Sequence, residues 1–297
     1  MKIIKGLCAA AITLLPATMA AADLLPAMTA AQDGGATVNS GTSQGYAERG
    51  RLMMNSGNYR GAADQLRLAL AMNPAPTPEQ EAAEFFLAQA CAHIPGEDAA
   101  GMFSDFLEKY PASAYRQLAY LGLAGVLFDQ KEYAAALEIY RSLDQQTLNP
   151  SDAEEKTLRE AYCLLKFARY DEAASLLNGL LATPAANDSR FYLAYIDYVK
   201  GDYRKALAGF EKVIQDGTEP SLRTPYYLAQ LHYRLGEYSK ALQEANGLLA
   251  SGCPAEYLSE TQRIAGECYY ATGDTSRALP LLRTYIENTE TPQPSAL

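Results

Sequence analysis

Gly201-Asp202-Tyr203-Arg204-Lys205-Ala206-Leu207-Ala208-Gly209-Phe210 holds the phrase that decides how this chain folds. Its skeleton, Gly-acid-Tyr-x-x-Ala, returns as Gly57-Asn58-Tyr59-x-x-Ala62, Lys131-Glu132-Tyr133-x-x-Ala136, Ala168-Arg169-Tyr170-x-x-Ala173 and Gly236-Glu237-Tyr238-x-x-Ala241. Looser copies are Glu97-Asp98-Ala99-x-x-Met102 and Gly273-Asp274-Thr275-x-x-Ala278. Counted from the Tyr or its substitute, the anchor, successive copies are 40, 34, 37, 33, 35 and 37 residues apart. A period of this length marks a chain of stacked supersecondary units.

Nine residues before each anchor stands a small residue: Gly50, Ala90, Ala124, Ala161, Ala194, Ala229 and Gly266. Three after it comes Ala in six copies and Met102 in the other. Seven after it a larger apolar group returns at Leu66, Phe106, Tyr140, Leu177, Phe210 and Leu282, with Ala245 as the exception. Small residues on two antiparallel helices let their backbones approach, and the larger group fills the next gap. Between them lies a turn. Gly accepts the left-handed conformation that ends a helix, and Asn or Asp can cap the helix that follows. The unit is therefore helix, turn, helix, and the fold class is all-α.

With these residues in view the chain resembles the tetratricopeptide repeat (TPR) family, whose pattern runs Leu-Gly-x-x-Tyr, Ala-x-x-x-Phe, Pro. Leu193-Ala194, Tyr203, Ala206-x-x-x-Phe210 and Pro220 match it, as do Leu228-Ala229, Tyr238 and Ala241. The early Trp of that family is missing, since the chain has none. The resemblance covers residues 44–288 and implies a right-handed superhelical solenoid of about seven units, at 44–76, 79–111, 114–148, 151–184, 187–218, 221–252 and 255–288. A second resemblance covers one junction, Phe103-x-x-Phe106-Leu107-x-x-Tyr110-Pro111-x-Ser113-x-Tyr115 to Ala119-Tyr120-x-Gly122, and is to repeats of bacterial cell-envelope proteins.

Lys2 and Lys5 precede an apolar run from Gly6 to Leu15 and the small residues Ala17, Ala20, Ala21 and Ala22, the layout of a secretory signal peptide over 1–22. The run is too short for a membrane span. Cys8 lies near the start of this run instead of closing it, which argues against lipoprotein anchoring, and the expectation is export to the periplasm. Residues 23–43, rich in Ala, Gly, Ser and Thr, read as a flexible lead-in, and Pro74-Ala75-Pro76-Thr77-Pro78 as a break between the first two units. Residues 289–297 read as a linker or the start of a further unit. Without the two leader lysines the formal charge moves from -10 to -12, and such acidity disfavours nucleic-acid or anionic-membrane binding. Cys91, Cys163, Cys253 and Cys268 are expected as free thiols.

No metal, cofactor or catalytic constellation is legible. His93 and His232 share a register six residues before their anchors, where four other units carry Met53, Leu127, Leu164 and Tyr269, so both are expected in or near the core. No phosphate loop, HExxH or GxSxG occurs. Pro280 is expected to bend the last helix.

The TPR resemblance implies an inner groove lined by the first helix of each unit, at positions twelve, eight, five and four before the anchor. There the chain places Tyr162, Phe191, Tyr195, Tyr198, Tyr226, Gln230, Tyr233, Arg234, Arg263, Glu267 and Tyr270, with Arg223 beside them. Tyrosines offer a large contact area with a polar tip, which suits an extended peptide, a partner helix or a glycan strand; several could equally pack against neighbouring helices. Repeated Lys and Asn along the groove, as used to clamp chaperone C-termini, are absent. The expected function is a non-enzymatic scaffold or adaptor that binds a protein or peptide in this groove. A cell-envelope assembly factor and the TPR part of a longer multidomain protein are the alternatives.

Overall fold

The computed structural model describes residues 41–72, 77–216 and 223–289. The signal-peptide reading, almost all of the lead-in, residues 74–76 of the break and the tail after Thr289 lie outside the described residues; Thr77 caps the helix that Pro78 opens. Among these residues every long element is an α-helix, and the fourteen helices pair in chain order into seven hairpins. They are α1 (Ser43–Asn55) and α2 (Tyr59–Met72); α3 (Pro78–Cys91) and α4 (Ala99–Lys109); α5 (Arg116–Asp129) and α6 (Tyr133–Ser142); α7 (Pro150–Lys166) and α8 (Tyr170–Gly179); α9 (Ala186–Lys200) and α10 (Tyr203–Asp216); α11 (Arg223–Arg234) and α12 (Tyr238–Ala250); α13 (Ala255–Ala271) and α14 (Thr275–Glu287). The all-α repeat solenoid expected from the sequence is the architecture observed. The anchor opens the second helix of every hairpin.

The turn explains the recurring phrase. The residue two before the anchor is left-handed in six repeats, with φ of 74° at Gly57, 87° at Gly201, 76° at Gly236 and 86° at Gly273, but also 68° at Lys131 and 55° at Ala168. The next N–H then bonds back to a carbonyl of the preceding helix, as from Asp202 N to Asp197 O at 2.9 Å and from Glu237 N to His232 O at 2.8 Å. This closes the first helix and aims the chain back along it. Asn58 and Asp274 cap the second helix as expected, accepting from Gly61 N at 3.0 Å and Arg277 N at 3.1 Å.

The small position and the larger apolar group meet as the spacing implies. A Cβ on Gly50 would stand 2.7 Å from Leu66 Cγ, and one on Gly266 would stand 2.7 Å from Leu282 Cγ. The second helices accordingly bury Ala62, Ala136, Ala173, Ala206, Ala241 and Ala278.

The chain divides into two compact lobes at Leu176 and Leu177, within α8. In the N-terminal lobe the core is aromatic: Phe85, Phe86, Phe103 and Phe106 are buried with Ala62, Ala63, Leu66 and Ala119. Phe85 stacks on Tyr115 with centroids 4.7 Å apart. A Cβ on Gly122 would collide with the Phe103 ring. The phrase from Phe103 to Gly122 thus includes the contact that packs α4 against α5. In the C-terminal lobe Tyr227 is the hub. Its ring stacks on Phe210 with centroids 5.1 Å apart and 1° between planes, and it meets Phe191, Tyr195, Tyr198 and Tyr226 edge-on.

One sequence expectation changes. His93 is exposed, because α3 ends at Cys91 and the histidine falls in the turn beyond it; its ring stacks on Tyr59 at 4.1 Å. His232 is buried, with Nδ1 2.9 Å from Glu237 Oε2. Pro280 stands inside α14, which runs from Thr275 to Glu287. The four cysteines among the described residues are free thiols, Cys91, Cys163 and Cys268 buried and Cys253 half-buried.

Candidate functional site

In the C-terminal lobe the first helices of three successive hairpins, α9, α11 and α13, carry the expected site residues, and a repeated side-chain rung links them. Tyr198 of α9 donates its hydroxyl to Gln230 Oε1 of α11. One repeat later Tyr233 of α11 donates to Glu267 Oε2 of α13. Donor and acceptor occupy the same registers each time, five and eight residues before their anchors. Burial and then the bond to the Glu267 carboxylate push the Tyr233 phenol up to about 12, so it stays a donor at neutral pH. Burial likewise raises Tyr198.

Around Glu267 the charges are closed on one another. Arg263 Nη1 lies 2.8 Å from Glu267 Oε1 and Nη2 lies 2.6 Å from Glu260 Oε1. Its guanidinium sits over the Tyr233 ring at 5.3 Å. Burial opposes its charge, but the two carboxylates more than offset that and hold it above the usual arginine value. Such a pair is tolerated only when its hydrogen bonds are complete, as they are here.

Burial sorts the predicted residues. Phe191, Tyr195 and Tyr226 are buried, Tyr195 at 9% exposure and the others below it, and they pack into the Tyr227 cluster, with Tyr226 also stacked on Tyr257 at 4.4 Å. Gln230, Arg263 and Glu267 are buried and engaged in the rungs. These six hold the helices together and offer an occupant little surface. Tyr198 and Tyr233 are half-buried, Arg234 is exposed, and Tyr270 is 68% exposed. Arg223 lies over the Phe191 ring at 4.7 Å. Tyr162 belongs to the N-terminal lobe, buried between Phe128 at 5.2 Å and Tyr133 at 5.8 Å.

Arg234 closes α11 with its guanidinium 5.8 Å from the Tyr198 ring centre and 5.3 Å from that of Tyr203. The N-terminal lobe repeats the arrangement in the same register: Lys166 closes α7 with its ammonium 5.5 Å from the Tyr133 ring and 5.2 Å from the Tyr162 ring. Burial, and then the like charge of Lys131, hold Lys166 below the usual lysine value. Tyr133, Tyr203 and Lys166 were not among the residues expected at the site. Their signal was the register four before the anchor, where Lys166 and Arg234 share a column with Asn55, Pro95, Asp129, Val199 and Ala271.

Among the described residues no cluster of three or more His, Cys, Asp or Glu could hold a metal ion, and no helix is long and apolar enough to cross a membrane. The arrangement supports recognition: aromatic faces and a cation on helices braced by buried hydrogen bonds.

The comparisons with known proteins agree with this geometry. A family model described as tetratricopeptide repeat matches residues 96–153 and 226–293. One for the anaphase-promoting complex, cyclosome, subunit 3 matches residues 168–248. No curated protein matches the chain in sequence. Among solved structures, a tetratricopeptide repeat protein from Parabacteroides merdae is 14% identical with a TM-score of 0.58, covering 84% of this chain and 94% of that one. Pseudomonas aeruginosa pilF is 19% identical with a TM-score of 0.57, over 72% and 94% of the two chains. The apo quorum sensor NprR from B. thuringiensis is 16% identical with a TM-score of 0.53, over 82% and 74%. With its seven hairpins, its period and these matches, the chain is a tetratricopeptide repeat protein.

Proposed function

We propose that this protein is a non-enzymatic adaptor that holds a peptide segment of a partner protein on the inner helices of its C-terminal lobe. The repeat fold points to a protein-interaction scaffold. The observation that carries the finer reading is the contrast between neighbouring registers of the first helices: Gln230 and Glu267 are buried and hold α9, α11 and α13 together through the rungs, while Tyr198, Tyr233, Arg234 and Tyr270 keep accessible surface beside them. Rigid, amphipathic tyrosines lose little conformational freedom on binding and suit an extended chain. Export to the periplasm is part of the same proposal and rests on Lys2, Lys5 and the apolar run that follows. Mass analysis of the mature N-terminus after osmotic-shock release tests it.

The groove is tested with fluorescent synthetic dodecapeptide libraries titrated against the full chain by anisotropy. Replacing Tyr198, Tyr233 and Tyr270 together by Ala is expected to weaken peptide binding at least about tenfold with helical circular dichroism retained. Unchanged binding by a folded triple variant would sink the groove reading.

A further inference from the structure

The face that joins one repeat to the next is built the same way twice in the C-terminal lobe. Five positions before the anchor a tyrosine, Tyr198 or Tyr233, gives its hydroxyl to an acceptor eight before the next anchor, Gln230 or Glu267. Its ring also packs forward: Tyr198 meets Tyr227 of α11, and Tyr233 lies on Ile264 and Cys268 of α13. Leu242, four positions after its anchor, covers the same pair, which stands eleven and seven before the next anchor. α13 and α14 carry both elements of this face again. Tyr270 and Leu279 hold the registers of Tyr233 and Leu242, yet they are 68% and 63% exposed. Leu282 and Ile286 continue the stripe along α14 at helical spacing and are half-buried, whereas Leu66, Tyr140, Leu177 and Phe210, in the register of Leu282, are fully buried. The outer face of a terminal repeat is ordinarily polar. An exposed apolar stripe with a phenol beside it marks an interaction surface instead.

We propose that the outer face of α13 and α14 receives an amphipathic helix of a partner protein, which continues the inter-repeat interface by one more helix. What covers the equivalent face inside the lobe defines what that helix must carry. Both helices that fill it show an apolar or aromatic residue, an acceptor three positions on, and an apolar residue next: Tyr227-x-x-Gln230-Leu231 and Ile264-x-x-Glu267-Cys268. All six side chains are buried. The acceptor answers the tyrosine, and the residues on either side of it cover the ring and the leucine. A second copy of this chain does not supply the pattern. Its α1 has Glu48 and Arg51 in the first two registers and matches only at Leu52, so it would bury an acid against Leu279 and set a cation opposite Tyr270. Nor does a Gln or Glu flanked in this way occur in residues 1–40 or 290–297. The edge shares Tyr270 with the groove proposed above, but Leu279, Leu282 and Ile286 belong to a second helix and not to the inner face.

The probe is a synthetic peptide with the sequence of α13, Ala255–Ala271, carrying Cys268→Val and held helical by a side-chain lactam. It is titrated against the full chain by fluorescence anisotropy, and saturable binding is expected. Leu279→Asp should weaken it at least about tenfold, and Tyr270→Phe about fivefold. A peptide with Glu267→Leu should lose a similar factor and no longer distinguish Tyr270→Phe from wild type, the coupling expected of a direct contact. A peptide with the sequence of α1, Ser43–Asn55, should bind at least about tenfold more weakly than the α13 peptide. Failure of the α13 peptide to bind, or equal binding to Leu279→Asp, overturns the edge site. Self-association in light scattering that Leu279→Asp abolishes gives the face to a second copy and overturns the partner helix. The groove dodecapeptides are titrated against the same Leu279→Asp sample. Unchanged dodecapeptide binding with the α13 peptide lost places that peptide at the edge, and parallel loss of both by a folded variant overturns a separate edge site.

Discussion

At the residue scale the turns carry the clearest strain. Ala168 and Lys131 hold left-handed backbone at φ of 55° and 68°, where four of the other repeats use Gly. A Cβ there is unfavourable by about 1 kcal/mol or more. Ala168→Gly is therefore expected to stabilise the protein by about 0.5–1 kcal/mol, since the gain in the folded turn outweighs the extra freedom of the unfolded chain; thermal denaturation checks it, and a fall in midpoint would refute the strain. Asp152 supplies a pH-dependent term. It is buried in the first turn of α7, and burial, followed by the neighbouring charge of Glu155, raises its carboxyl to about 6. A carboxyl raised in the folded state binds its proton more tightly there than in the unfolded chain. Its favourable contribution is therefore complete below about pH 4 and is lost as the pH rises through 6. Asp152→Asn is expected to gain about 1–2 kcal/mol at pH 7 and little at pH 4, read from denaturation midpoints across that range. The Asn149 side chain, which donates to Asp152 Oδ2 at 2.9 Å, retains an acceptor in the variant.

At the scale of elements, the C-terminal lobe depends on rings that bridge first helices. Tyr227 of α11 stacks on Phe210 of α10 and meets Phe191, Tyr195 and Tyr198 of α9. Truncation at Tyr227 removes contacts to two helices at once, so Tyr227→Ala is expected to cost about 3–5 kcal/mol, measured by urea denaturation of the full chain. The hydrogen-bonded rungs are smaller terms of about 1 kcal/mol each, and their value is in register. They tie position five before one anchor to position eight before the next, which sets where Tyr198, Tyr233 and Arg234 stand.

At the scale of the whole molecule, repeats that contact mainly their neighbours make stability a sum of local terms, so damage stays local. Hydrogen exchange on Tyr227→Ala is expected to show lost protection in α9 to α12 with α3 and α4 unchanged. Uniform loss through all fourteen helices would instead show one cooperative block. The repeat fold was legible because its signals are local and occur many times: a left-handed turn residue, an anchor, and a small residue facing a larger one sixteen positions on. The inner-face residues were legible as a register, since twelve, eight, five and four before the anchor do fall on the first helices. What each residue does there was not. Phe191, Tyr195 and Tyr226 share a residue class with Tyr198, Tyr233 and Tyr270, but the first three are buried against neighbouring helices, while the others keep exposed surface. Likewise Arg263 and Arg234 are both arginines on first helices, one closed by Glu260 and Glu267 and the other left over tyrosine rings. The sequence by itself determined the helices, their turns and the small-to-large packing, because these depend on neighbours within one unit. Tertiary structure decided which tyrosines are core and which keep exposed surface, because their burial depends on side chains of neighbouring repeats, as between Tyr195 and Tyr227 or Tyr226 and Tyr257.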